Sequence, residues 1–330
     1  SKAYPRSILA GCSTSGEISG GQVHDATLSV AVARFEHTRL ALSSTAIHKA
    51  DSSEAGARLA QQLAPEGLAG VLVLADGVNV NGSALAQGIN SILSPQVIVT
   101  GGLAGDGRRF ESTWVMRNGK PESGAATAVG FYGKRLRMSH GSSGGWEGFG
   151  PERRVTRSQG NVLYELDHKP ALALYKEYLG EHAAQLPGSA LFFPLSIWSP
   201  EPGSRKLVRC ISAVDEAEQS ITFSGDIPLG HCARLTRANF ENLVSAASEA
   251  SGLVHSARSA APVLALAVSC IGRRMVLGER TDQELEITLH NLPAGSQQVG
   301  FYSYGELAPF PGQACALYNQ TMTLTTLCED

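Results

Sequence analysis

Three glycine-rich segments, each placed directly after a short apolar run, constrain this chain more than any other feature. They are Gly11-Cys12-Ser13-Thr14-Ser15-Gly16-Glu17, Asp76-Gly77-Val78-Asn79-Val80-Asn81-Gly82 and Gly101-Gly102-Leu103-Ala104-Gly105-Asp106-Gly107. An apolar run of four to eight residues that ends in glycines reads as a buried strand followed by a tight loop. In α/β sheets the carboxyl ends of parallel strands are where loops diverge and ligands bind. If the three strands are neighbours, their loops converge on one crevice. None of the three fits a dinucleotide or phosphate-loop fingerprint, because the glycine spacing differs and no Gly-Lys-Ser/Thr occurs.

The rest of the pattern supports a mixed α/β (α+β) fold of two mixed-sheet lobes with flanking helices. Residues 8–10, 28–35 and 40–47 read as strands. Asp51 with Glu54 marks a helix start, Leu59 and Leu63 its buried face, and Pro65 its stop. Residues 71–74, a helix from Ser83 through Leu85, Ile89 and Ile92, and residues 97–100 form a compact βαβ unit with a parallel pair. Residues 113–117 and 125–132 read as a hairpin turned at Asn118-Gly119. Residues 135–139 add a strand, and the run Gly141-Ser142-Ser143-Gly144-Gly145 reads as a flexible loop between halves. A helix starts at Asp167 and Pro170 and closes at Gly180. Strands follow at 192–197, 207–214, 220–223, 263–268, 299–304 and 321–327. Asn239 caps one further helix, and another covers 271–289. The boundary between lobes falls between residues 140 and 190, giving modules of 1–150 and 151–330.

Composition narrows the class. With 330 residues, 43% hydrophobic and 17% charged, the chain carries enough apolar surface for sizeable cores. A net charge of −3 without a basic stripe argues against a nucleic-acid surface. The longest apolar stretch, residues 260–270, is far short of the roughly 20 residues a membrane helix needs. Six dispersed cysteines without a Cys-x-x-Cys pair suit a reduced, cytoplasmic compartment.

Candidate chemistry is scattered. Cys12 and Ser13 invite a nucleophile reading, and a hydrolase using either is one alternative, although Ser15 stands where a nucleophile elbow needs glycine. The run Ser269-Cys270-Ile271-Gly272-Arg273-Arg274 enters a helix after a strand, where free amides and an arginine favour a carboxylate or phosphate. The competing reading is an ion pair of Arg273 with Glu284, Glu286 or Glu306. Gly300-Phe301-Tyr302-Ser303-Tyr304-Gly305-Glu306 places aromatic rings beside an acid. The nine histidines are dispersed, which disfavours zinc, but haem needs only one protein ligand. His140 stands out, at a strand end near Trp146 and Phe149; His48, His231 and His290 are open to the same reading.

Taken together, Gly11 through Glu17, Gly101-Gly102 with Ala104-Gly105-Asp106, Ser269-Cys270 with Gly272-Arg273, Gly300 through Glu306 and Asn319-Gln320-Thr321 resemble the FIST sensory family, with its N- and C-terminal modules. Two departures stand out. The family's strand–helix segment ahead of the Gly-Cys-Ser-Thr loop is missing here, and Tyr318 occupies a position where relatives often carry histidine. The resemblance implies a cytoplasmic small-ligand sensor acting on a separate histidine kinase or cyclic-di-GMP enzyme, with a homodimer as a further expectation. The stretch from Gly144 to Pro170 resembles the haem-binding, nitric-oxide-sensing branch. That implies haem b with His140 as the first axial candidate, then His231 and His48. The ligand-binding residues so implied are Cys12, Ser13, Thr14, Glu17, Gly102, Asp106, Arg273, Tyr304, Glu306 and Asn319. In the alternative of an amino-acid or small-anion sensor, Arg273 grips a carboxylate and Glu306 or Asp106 receives an amine.

Overall fold

The computed structural model describes residues 4, 7–186, 188–254, 261–310 and 313–330. They form a mixed α/β architecture of three large sheets and a small hairpin. The third sheet, in spatial order, is Cys315–Tyr318, Gly305–Pro309, Ile98–Leu103, Leu68–Ala75, Ala125–Tyr132 and Arg39–Ala46. Its centre is the expected βαβ unit. Leu68–Ala75 and Ile98–Leu103 run parallel, joined through the helix Gly82–Asn90. That helix starts where Asn81 accepts the amides of Ser83 and Ala84, which satisfies two of the free donors of its first turn.

The first sheet carries a second parallel pair, Leu264–Cys270 with Gln297–Ser303. Around it lie Glu17–Ser19, Gln22–His24, Met322–Glu329 and Leu136–Ser143. The second sheet is antiparallel, built on Arg153–Gln159, Val162–Leu166, Leu195–Trp198 and Cys232–Arg237, and covered by the helix Ala171–Leu179. The sheets interleave distant parts of the chain. Gly305–Pro309 pairs with Ile98–Leu103, and Met322–Glu329 pairs with Leu136–Ser143.

Several expected elements take another form. Residues 8–10 and 28–35 are not strands: the alternating Leu28, Val30 and Val32 have no strand partner and face solvent. The Asn118-Gly119 turn is present, with φ of 53° and 76°, but it joins Val115–Arg117 to Lys120–Glu122. The strand Ala125–Tyr132 instead enters the third sheet. Ile92 lies beyond its helix and is exposed. The segment read as a flexible loop at 141–145 begins as the end of the strand Leu136–Ser143, whose Gly141, Ser142 and Ser143 pair with Leu324, Thr323 and Met322. The single helix expected across 271–289 is broken into Ile271–Leu277 and Thr281–His290, because Gly278 adopts a φ of 55° between them. The Asp51 carboxylate does not cap the helix Ser52–Gln61; it accepts the His48 amide one turn earlier.

Candidate functional site

Two of the glycine-rich loops meet closely. The Gly105 amide donates to the Ser13 carbonyl, and Ser15 Oγ and the Gly107 amide lie 3.1 Å apart. Gly77 packs against Ala104 and Tyr304 in turn. The resulting cluster is internally saturated. Asp106 accepts the amides of Phe110, Glu111 and Ser112 as well as the Tyr304 hydroxyl. Burial works to raise the Asp106 carboxyl, but these donors outweigh it and hold it below the ordinary carboxylate range. Tyr304 stacks on Phe110 with ring centroids 4.2 Å apart. Glu17 accepts from Thr14 Oγ1 at 2.5 Å and from the Thr27 amide and hydroxyl. Gly102 sits within its strand against Val268 and opposite Glu306.

Cys12 and Ser13 lack what a nucleophile needs. Burial pushes the Cys12 thiol up to about 12, the opposite of an activated thiolate. Ser13 Oγ accepts the Trp114 amide at 3.0 Å, and no described histidine is placed to accept its proton.

Arg273 and Glu284 are both wholly buried and form an ion pair of 2.7 Å. The same guanidinium donates from Nη1 to the Gly144 carbonyl and from Nη2 to the Leu243 carbonyl. Glu284 also accepts from Ser269 and Tyr302. The ion-pair reading of Arg273 therefore describes its geometry, and the guanidinium points into the fold. Glu306 is buried too, within hydrogen-bond distance of Ser303 Oγ and accepting from Thr321, while Asn319 bridges the Tyr304 carbonyl and the Cys210 amide.

The open space lies elsewhere, where the three sheets meet. A cavity of about 870 Å³ is bounded by the first-sheet segment from His140 to Gly145 and by Trp146. The second sheet contributes Ser196, Trp198, Val208, Arg234 and Thr236, and the third contributes Pro309 and Tyr318. Arg205 and Lys206, from the loop before Leu207–Arg209, complete one wall. That volume falls in the range of small-ligand pockets. Behind the wall, Arg273 holds the Gly144 carbonyl and Trp146 Nε1 donates to the Gln320 carbonyl. Arg273 thus positions the cavity without lining it. A smaller cavity of about 310 Å³ adjoins, lined by Arg205, Arg209, Asp226 and His231 among others.

Of the histidines, His140 lies on the large cavity and His231 on the small one, whereas His48 and His290 are exposed and line neither. Burial pushes the His140 imidazole below its ordinary value, only partly offset by the neighbouring Pro309 backbone. It is therefore neutral at pH 7. Among the described residues no group of three or more His, Cys, Asp or Glu is arranged to hold a metal ion. Of the residues implied by the resemblance, His140 and His231 face the two cavities; the Cys12, Asp106, Arg273 and Glu306 groups pack into the framework. Arg205 and Trp198 drew no notice in the sequence, because a Gly-Ser-Arg-Lys loop carries no motif.

A search of curated proteins returned no match. Family models do match: the FIST N domain over residues 1–169 and the FIST C domain over residues 171–309. FIST domains are sensor domains of signalling proteins. No helix among the described residues is long and apolar enough to cross a membrane. The chain belongs to the FIST family, carrying its N-terminal and C-terminal domains in order.

Proposed function

We propose that this chain is a small-ligand sensor whose ligand occupies the cavity where the three sheets meet. The observation that carries this reading is the position of the cavity itself. Its walls come from all three sheets, so a ligand there touches elements that are distant in sequence, such as His140, Trp198 and Tyr318. A ligand that favours one arrangement of those sheets shifts the population by its differential affinity. The partner that reads the shift is a separate signalling protein, a histidine kinase or a cyclic-di-GMP enzyme.

Haem b is the ligand that His140 favours. Its imidazole is neutral and lines the cavity beside Pro309. A neutral imidazole keeps a nitrogen lone pair, so His140 would be the residue to hold the iron. Trp146 and Trp198 would flank the bound macrocycle. Haem supplies an iron that nitric oxide can ligate. Arg273, four of whose hydrogen bonds point into the fold, supports a carboxylate grip less well.

The test is haem titration of the purified chain followed by desalting. A retained, sharp Soret band that shifts with nitric oxide and is lost in His140→Ala is the expected result. A broad band of adsorbed haem, or an unchanged spectrum in His140→Ala, overturns the haem assignment.

A further inference from the structure

Arg205 is the one arginine at the cavity whose side chain makes no hydrogen bond or ion pair to a described residue, and its Nη2 is buried without a partner. Its guanidinium lies between two rings, 4.4 Å from the Phe310 centroid and 3.9 Å from that of Tyr318. Such a sandwich fixes the plane of the fork but satisfies none of its N–H donors. A buried donor left unmade is costly, more so when it is charged. Nearby Arg209 adds to this: it is buried, and its donors go to the carbonyls of Asp226, Val208 and Leu317. Burial, with the Arg209 charge, pushes the Arg205 guanidinium down to about 9. It nevertheless stays protonated at neutral pH, and no carboxylate among the described residues pairs with it.

The rest of the lining has the same sign. Lys206 and Arg234 accompany Arg205 on the large cavity, and no carboxylate is among the described residues that line it. Asp226, on the small cavity, accepts from Asn81. Trp146, Trp198, Phe310 and Tyr318 supply flat apolar surface.

We infer that Arg205 is an oxyanion-binding residue, receiving the carboxylate or phosphate of a ligand whose aromatic body lies against the tryptophans of the large cavity. The guanidinium fork pairs with two oxygens of the anion, and the ring sandwich holds it in register. This rests on the cavity being the ligand site and adds the chemical class of what enters it. It also explains the missing partner: the anion arrives with the ligand. Tyr318 then serves as the platform that orients the fork.

The probes are 2-naphthoate, 2-naphthyl phosphate and neutral 2-naphthamide, titrated against the full chain and followed by tryptophan fluorescence. One or both anions should bind at least tenfold more tightly than the amide; which of them does so separates carboxylate from phosphate. Arg205→Gln should abolish that preference by weakening the anions at least tenfold more than the amide, and Arg205→Lys should keep only part of it. Arg205→Met should unfold at the same temperature as the parent or higher, since it relieves a desolvated charge, whereas a purely structural arginine would lose stability. Equal binding of anion and amide overturns the Arg205 assignment but leaves the cavity reading intact. Failure of all three probes to bind overturns the Arg205 assignment, while the cavity reading stands or falls by the haem titration. An anion preference that survives in Arg205→Gln overturns the assignment as well.

Discussion

Arg273 and Glu284 meet with no exposed surface on either side chain, so each depends on the other for its charge to be tolerated. Arg273→Met leaves Glu284 with hydrogen bonds from Ser269 and Tyr302 but no cation. It should cost about 3–5 kcal/mol of unfolding free energy, the range for breaking one side of a buried pair. The double variant Arg273→Met/Glu284→Gln should recover most of that loss. Urea denaturation measures both, and a double variant as unstable as the single one would show that the carbonyl bonds to Gly144 and Leu243 matter more than the charge. The sequence pointed to this arginine and to Glu284 as one of three partners for it. Spacing could not decide among those partners, because their choice depends on how the broken helix after Cys270 folds back. Arg205 was illegible for a different reason. What marks it is the lack of a partner, and a missing contact leaves no trace in a string of residue types.

At the scale of elements, the helices Ser52–Gln61 and Gly82–Asn90 approach so closely that glycines are required at the crossing. A Cβ at Gly88 would sit inside contact distance of the Ser53 carbonyl, and one at Gly56 would strike the Leu85 carbonyl. Both obstacles are backbone, which cannot swing aside. Gly88→Ala should therefore destabilise by about 1–3 kcal/mol despite its better helix propensity. Thermal unfolding checks the sign: a higher midpoint would mean the helices separate without cost. The βαβ unit that contains Gly82–Asn90 was readable, since strand, helix and strand follow one another with clear stops at Pro65 and Pro95. Residues 28–35 misled because alternation of Leu28, Val30 and Val32 is also what an unpaired extended segment shows. A strand needs an edge to pair with, and that edge belongs to the tertiary fold. The break at Gly278 was similarly hidden, as an isolated glycine is tolerated in many helices.

For the whole molecule, the joints between sheets matter most, and Glu306 sits at one of them. It belongs to Gly305–Pro309 of the third sheet. Its carboxyl contacts Ser303, at the end of a first-sheet strand, and Thr321, just ahead of another. The mixed α/β architecture and its parallel unit could be read from local pattern. The pairing of Gly305–Pro309 with Ile98–Leu103 could not, because it joins segments some two hundred residues apart and leaves no local periodicity. Burial, followed by the nearby Cys270, pushes the Glu306 carboxyl well above its ordinary range, against the opposing bonds from Ser303 and Thr321. The folded chain therefore retains a proton that the unfolded chain releases. Between the ordinary glutamate range and the raised folded value the native state binds more protons, so this group's contribution declines as pH rises. The slope approaches about 1.4 kcal/mol per pH unit at full effect. Glu306→Gln mimics the neutral acid: its amide nitrogen can donate to Ser303 Oγ while its oxygen still accepts from Thr321. Its unfolding free energy, compared with the parent from pH 5 to 8, should show the variant gaining steadily with pH. The His140 contribution runs the other way and cancels in that comparison: its folded value is lowered, so its stability is lost as pH falls. A difference between the two proteins that stays flat across the range would mean that Glu306 is ionised in the fold, and that the joint between the sheets is held by a carboxylate.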